Sequence, residues 1–81
     1  KVILRVFGND LRDIENHPIH NSQKRLKETA EYTDFEYILC PTTDFRDYII
    51  GRGSQMKVLS PKWLADEIKY KHLEAAKAYS E

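Results

Sequence analysis

Residues 51–64 read Gly51-Arg52-Gly53-Ser54-Gln55-Met56-Lys57-Val58-Leu59-Ser60-Pro61-Lys62-Trp63-Leu64. A glycine turn, room for one short strand, a helix start and the only tryptophan of the chain fall within them. Gly51 and Gly53 permit positive φ, so a preceding helix can stop here and the chain can reverse. Residues 55–59 are expected to form a strand, with Met56 and Val58 on one face and Lys57 and Leu59 on the other. Ser60 stands where an N-cap belongs, and Pro61 follows at the first helical position, where its missing N–H is of no consequence. Strand and helix are thus expected to join with almost no loop.

Moving outward, Thr42, Thr43 and Asp44 offer capping groups to a helix whose Phe45, Tyr48 and Ile49 form one buried stripe. Gly51 or Gly53 is expected to end it. On the other side, residues 61–79 are expected to form a long helix. Its inner face is assigned to Leu64, Ile68, His72 or Leu73, Ala75 or Ala76, and Tyr79. Trp63 and Tyr79 read as packing residues.

The N-terminal half begins with a strand over 2–7. Val2, Leu4 and Val6 make one face fully apolar, and Ile3 and Phe7 make the other nearly so, which is the pattern of a central strand. Residues 10–16 can form two helical turns with Leu11 and Ile14 on one side, ended by Pro18. A polar bend, His17-Pro18-Ile19-His20-Asn21-Ser22-Gln23, follows. Residues 24–32 carry the charges expected of an edge strand. Thr33 and Asp34 are expected to make a tight turn, and 35–40 an apolar strand ending before Pro41. Cys40 then reads as a small buried hydrophobe.

The expected order is β-α-β-β-α-β-α. Its first six elements match a ferredoxin-like split βαβ sandwich, here with an additional long C-terminal helix, in the α+β class. Both shorter helices would lie on one face of the sheet. Ile3, Phe7 and Leu59 would lie on the other, as a candidate interface that needs cover from the last helix, another domain or another subunit.

The chain has 81 residues, which bounds it to one domain, 1–81. Lys and Arg together number 13, as do Asp and Glu, so the net charge is zero. A domain that grips nucleic acid by itself usually carries a basic excess, because phosphate neutralisation supplies most of the affinity. No apolar run is long enough to span a bilayer, and no signal-peptide pattern is present. The single cysteine rules out an internal disulfide and fits a reducing compartment. The chain opens directly on a strand with no initiator Met, which leads to the expectation of a fragment of a longer protein.

No motif points to catalysis, a cofactor or a metal. His17 and His20 are separated by Pro18, which breaks the helix that would align them, and no Cys or paired carboxylate completes a tetrahedral set. Gly51-Arg52-Gly53 lacks the further glycine and the Lys-Ser/Thr of a phosphate loop. Asp44 and Asp47 read as capping and surface groups. An acylphosphatase-like loop would need an Arg to cradle phosphate and an Asn to orient water; Arg12 and Asn9 are present, but Asp10 beside them would repel phosphate. An aromatic sheet platform for single-stranded RNA is expected to be missing, with Phe7 on the first strand and Phe35 and Tyr37 on the third.

Three blocks together carry a family resemblance. The bend 17–23 resembles the "Pro-apolar-His-x-Ser-Gln" bend of the C-terminal extension (WCX) domain of bacterial WYL-domain transcriptional regulators. Residues 48–61 resemble its block of a glycine, a strand and a proline. Trp63-Leu64-Ala65-Asp66-Glu67-Ile68, with Tyr79 near the end, is similar to its closing helix. The match covers nearly the whole chain in order, and departs at Ala65-Asp66, where many relatives carry Arg after the Leu. A contact made by that Arg in relatives is therefore not expected here.

The resemblance implies a non-catalytic regulatory and dimerisation domain in a cytoplasmic bacterial protein. The parent would carry an N-terminal winged helix-turn-helix that touches DNA and a central WYL barrel that senses an effector, in some relatives nucleic acid. This domain would dock on the WYL domain of its own or a partner subunit, commonly within a homodimer, and couple sensing to DNA binding by population shift. Candidate effector or partner contacts are His20, Gln23, Arg25, Lys27, Arg46 and Arg52. The alternative is a ferredoxin-like module that itself binds nucleic acid or a small ligand.

Overall fold

The computed structural model describes residues 1–8 and 10–80. Asn9, considered above as the water-orienting residue of an acylphosphatase-like loop, lies outside the described residues. Among these residues seven strands and α-helices follow one another: β1 (Val2–Phe7), α1 (Asp10–Asn16), β2 (Lys24–Glu28), β3 (Tyr32–Tyr37), α2 (Thr43–Gly51), β4 (Met56–Ser60) and α3 (Lys62–Ala78). A single 3-10 turn, Gly53–Gln55, sits between α2 and β4.

The strands form one four-stranded sheet in the order β2-β3-β1-β4. All three pairings are antiparallel. The two apolar strands are central and the two others are edges, as their side chains dictate. Val2, Leu4 and Val6 of β1, Phe35 and Tyr37 of β3, and Met56 and Val58 of β4 point into one core with Ile14, Phe45, Ile49, Leu64 and Ile68 from the helices. The domain is thus a small α+β unit with its helices on one side of the sheet.

The β2–β3 hairpin turns earlier than its sequence suggests. Thr33 and Asp34 do not make the turn; they are buried within β3, opposite Val6 and Arg5 of β1. The turn lies between Glu28 and Tyr32, and Thr29 makes it. Its hydroxyl accepts from the backbone N–H groups of Glu31 at 3.2 Å and Tyr32 at 3.1 Å, while its own N–H donates to the Tyr32 carbonyl at 2.8 Å. A threonine that satisfies three groups of a turn outweighs the Thr-Asp signal further along. Tyr32 consequently belongs to β3, not to β2. The register also slips between Arg25 and Lys27, leaving Leu26 unpaired and 46% exposed.

At its far end β3 stops at Tyr37, so Ile38 is exposed and Cys40 is exposed rather than buried. The backbone N–H of Ile38 leaves the sheet ladder and donates to the Ser22 hydroxyl at 3.0 Å.

The joint between β4 and α3 also departs from expectation. The Ser60–Pro61 peptide bond is cis, and Pro61, not Ser60, is the N-cap, with no side-chain cap bond. Its carbonyl accepts the first helical bond, from the N–H of Ala65 at 3.1 Å. Gly51 is the last residue of α2, and only Gly53 of the pair takes positive φ, at 59°. Thr42 caps α2 as anticipated, accepting from the N–H of Phe45 at 3.3 Å.

Only the first half of the assigned inner face of α3 is buried, at Leu64 and Ile68. Leu73 is 58% exposed, on the rim of a groove that α3 forms with Phe7, Met56 and Val58, and Tyr79 is 92% exposed. Trp63 is not a packing residue either. It stands 55% exposed on the side of α3 away from the core. No helix among the described residues is long and apolar enough to cross a membrane.

Candidate functional site

The bend at 17–23 is held by its own side chains. The Ser22 N–H donates to Nδ1 of His20 at 3.1 Å, and the Ser22 hydroxyl lies 2.7 Å from the same nitrogen. An N–H can only donate, so Nδ1 accepts, and the neutral ring carries its proton on Nε2. Gln23 completes the lock. Its amide donates to the Ile14 carbonyl at 3.2 Å, and its Oε1 accepts from the Tyr37 hydroxyl at 2.6 Å. Gln23, a candidate contact residue, therefore spends its polar groups inside the domain.

Between this bend and the start of α2 lies a groove of about 620 Å³. Ile19, Leu39 and Phe45 give it apolar walls, and His17, His20 and Asp44 add polar groups. Of the candidate contacts, only His20 lines it. The groove could hold an apolar group bearing a hydrogen-bond acceptor for His20 and a donor for Asp44. Among the described residues, no cluster of three or more His, Cys, Asp and Glu side chains is placed to hold a metal ion.

The four candidate cations do not converge. Arg25 pairs with Glu15 and Glu28 beside the edge strand. Arg46 of α2 bonds Glu67 of α3 at 2.7 Å. Arg52, after α2, reaches Asp10 at 3.2 Å and Asp13 at 3.5 Å, tying α2 to the first turn of α1. Lys27 stands 6.0 Å from the Tyr32 ring centre. Three of the four thus act as ties between elements of the domain.

The face of the sheet without helices is organised around an ion pair. Arg5 meets Asp34 in a two-pronged contact, Nε to Oδ1 at 2.8 Å and Nη2 to Oδ2 at 3.1 Å. The Asp34 hydrogen bonds raise the pKa of the Arg5 guanidinium, with burial opposing. The guanidinium also lies 3.8 Å over the ring of Tyr32, which Phe7 meets edge-on at 6.1 Å. Ile3 and Phe7 are half-buried here. Leu59, 36% exposed, is the unpaired residue where the β1–β4 register slips. The expected apolar patch is therefore broken by charge. The aromatic pair of this face is Phe7 and Tyr32, while Phe35 and Tyr37 are core residues. Placing Tyr32 in the wrong strand hid it from sequence reasoning.

A second surface was also missed. Trp63, Tyr70 and Leu73 of α3 are all more than half exposed and recur on one side of the helix. Their spacing was legible, since 63 and 70 are one heptad apart.

No protein-family model matches the chain, and no curated protein matches it.

Proposed function

We propose that the chain is a non-catalytic regulatory domain with a ferredoxin-like fold, of the C-terminal extension type found in WYL-domain transcriptional regulators of bacteria. In this reading it is one part of a longer cytoplasmic protein. It docks on the WYL barrel of its own or a partner subunit in a homodimer, and relays effector binding, by nucleic acid or a small molecule, to the DNA-binding domain. The observation that carries the reading is the one-sided sandwich: the helices pack on one face of the sheet, while Ile3, the Arg5–Asp34 pair and Phe7, which borders a groove shared with α3, lie on the other. A face of mixed apolar and charged groups suits a reversible contact between domains. The coding sequence on the N-terminal side of Lys1 supplies the first test. A WYL barrel and a winged helix there support the reading, and an unrelated domain overturns it. Adding the separately made remainder to the isotope-labelled chain should then shift the amide resonances of β1 and β3, and Phe7→Asp should weaken that binding.

A second reading, direct contact with single-stranded nucleic acid, draws on Phe7 and Tyr32 lying on neighbouring central strands, with Arg5 and Lys27 beside them. It is the weaker of the two, because Asp34 neutralises Arg5 and the Arg5 guanidinium already covers Tyr32. Salt-dependent binding of a short oligonucleotide, lost in Tyr32→Ala, would favour it over docking.

A further inference from the structure

The helix α3 is apolar along two opposite sides. Leu64 and Ile68 face the core, and a helix with only that duty would be polar elsewhere. Instead the outer side carries Trp63, Tyr70 and Leu73, which are 55%, 59% and 58% exposed. In heptad terms Trp63, Tyr70 and Lys77 take the a positions, and Asp66 and Leu73 the d positions. Ile68 then falls at f, directly opposite the seam.

The flanks of this seam are sorted by charge. One flank, the g positions, carries Lys62 and Lys69; the other, the e positions, carries Glu67 and Glu74. When two identical helices run parallel, each g residue faces the e residue of the next heptad on the partner. Lys62 then meets Glu67 and Lys69 meets Glu74, on both sides of a two-fold axis. Running antiparallel, g faces g and e faces e, which sets Lys against Lys and Glu against Glu. The charge pattern therefore fits a second copy of this chain, in one orientation.

We infer that α3 is a self-association surface: two copies pair parallel along Trp63, Tyr70 and Leu73, with Lys62–Glu67 and Lys69–Glu74 bridges across the axis. The surface also gives the dimer of the proposed function a location, but the inference rests on α3 alone. The existing contacts leave room for it. Arg46 uses Oε2 of Glu67, which leaves Oε1 for the partner's lysine. Lys62 would share itself between its present bond to Asp66, 2.9 Å long, and the partner. Asp66 and Lys77 within the seam make the pairing weak, so association is expected at high chain concentration rather than as an obligate dimer.

Sedimentation equilibrium of the 81-residue chain over micromolar to millimolar concentrations tests this, with circular dichroism to establish that each variant is folded. Lys69→Glu alone and Glu74→Lys alone should each raise the dissociation constant by about tenfold or more, since two attractive pairs per dimer become repulsive. Mixing those two variants should restore association, because both cross-axis pairs are then Glu with Lys. A chain that stays monomeric throughout, or a mixture no tighter than its components, overturns the inference. Neither outcome depends on a WYL barrel, so failure here is distinguishable from failure of the domain assignment.

Discussion

The hydroxyl of Tyr37 donates to Oε1 of Gln23, fourteen residues earlier, at 2.6 Å. This bond joins the third strand to the bend, and through the Gln23 amide to the last turn of α1. Tyr37 is wholly buried. Gln23→Ala would leave the Tyr37 hydroxyl and the Ile14 carbonyl without partners, for a loss of about 2–3 kcal/mol in urea unfolding. Tyr37→Phe leaves Gln23 Oε1 with only its longer bond, from the Ile19 N–H at 3.4 Å, and a loss of about 1 kcal/mol is expected.

The same residue gives a pH dependence. Burial first, and the neighbouring Tyr48 second, push the Tyr37 phenol well above its ordinary pKa. In the unfolded chain it ionises near pH ~10. Above that pH the unfolded state binds fewer protons than the folded one, so stability falls as pH rises. The stabilisation is fully present below about pH 10 and is lost progressively toward the higher folded value. Urea midpoints measured on both sides of pH ~10 should fall more steeply in the wild type than in Tyr37→Phe. Parallel slopes would show that Tyr37 ionises equally easily in both states.

The Arg5–Asp34 pair yields a test of coupling. Asp34 is 6% exposed, so Arg5→Met strands a carboxylate with little water around it. Asp34→Ala leaves a cation over Tyr32 whose side chain is 25% exposed, against 8% for that of Asp34, a smaller penalty. Removing both at once should restore part of the loss, because neither charge is then unpaired. Thermal unfolding of the two single variants and the double reads this directly. Strictly additive effects would mean that the pair is held in place by the sheet and contributes nothing of its own.

Gly51 and Gly53 looked alike in the sequence, yet the structure separates them. Beyond its own chain neighbours and helix backbone, neither has an atom within 4 Å of where a Cβ would stand, so backbone conformation decides the effect of adding one. Gly53, at φ 59°, should lose about 1–2 kcal/mol on substitution by alanine. Gly51, helical, should gain up to about 1 kcal/mol. Equal effects from chemical denaturation would contradict the difference in φ.

Where sequence and structure agree, a residue's role depends on its near neighbours. The alternation of Val2, Leu4 and Val6, the Thr42 cap and the Met56–Val58 pair each announce themselves within a few positions. The departures come from choices between competing local signals, or from distant partners. Thr29 and Thr33-Asp34 both offer a turn, and Asp34 is drawn into β3 by Arg5, twenty-nine residues away. Pro61 and Ser60 both suit a helix start, and no pattern in the sequence distinguishes N-cap from first turn there. Trp63 reads as a packing residue in the sequence, whereas its exposure follows from which side of α3 packs on the sheet through Leu64 and Ile68. The groove beside His20 was not legible either, since it needs the bend and α2 brought together.

Thr33 offers a test of the corrected hairpin register. It is fully buried beside Val6, and its Oγ1 has no hydrogen-bond partner among the described residues. An unpaired buried hydroxyl costs about 1–3 kcal/mol, so the shape-matched Thr33→Val should raise stability by about 1 kcal/mol. Thr33→Ser keeps the hydroxyl and removes a buried methyl, and should lower stability by about 1 kcal/mol. Had Thr33 been part of an exposed turn, both substitutions would be nearly neutral. Opposite signs for Val and Ser, read from urea midpoints, therefore place Thr33 on the core face of β3. A loss with Val would instead mean that the hydroxyl finds a partner, most simply an ordered water.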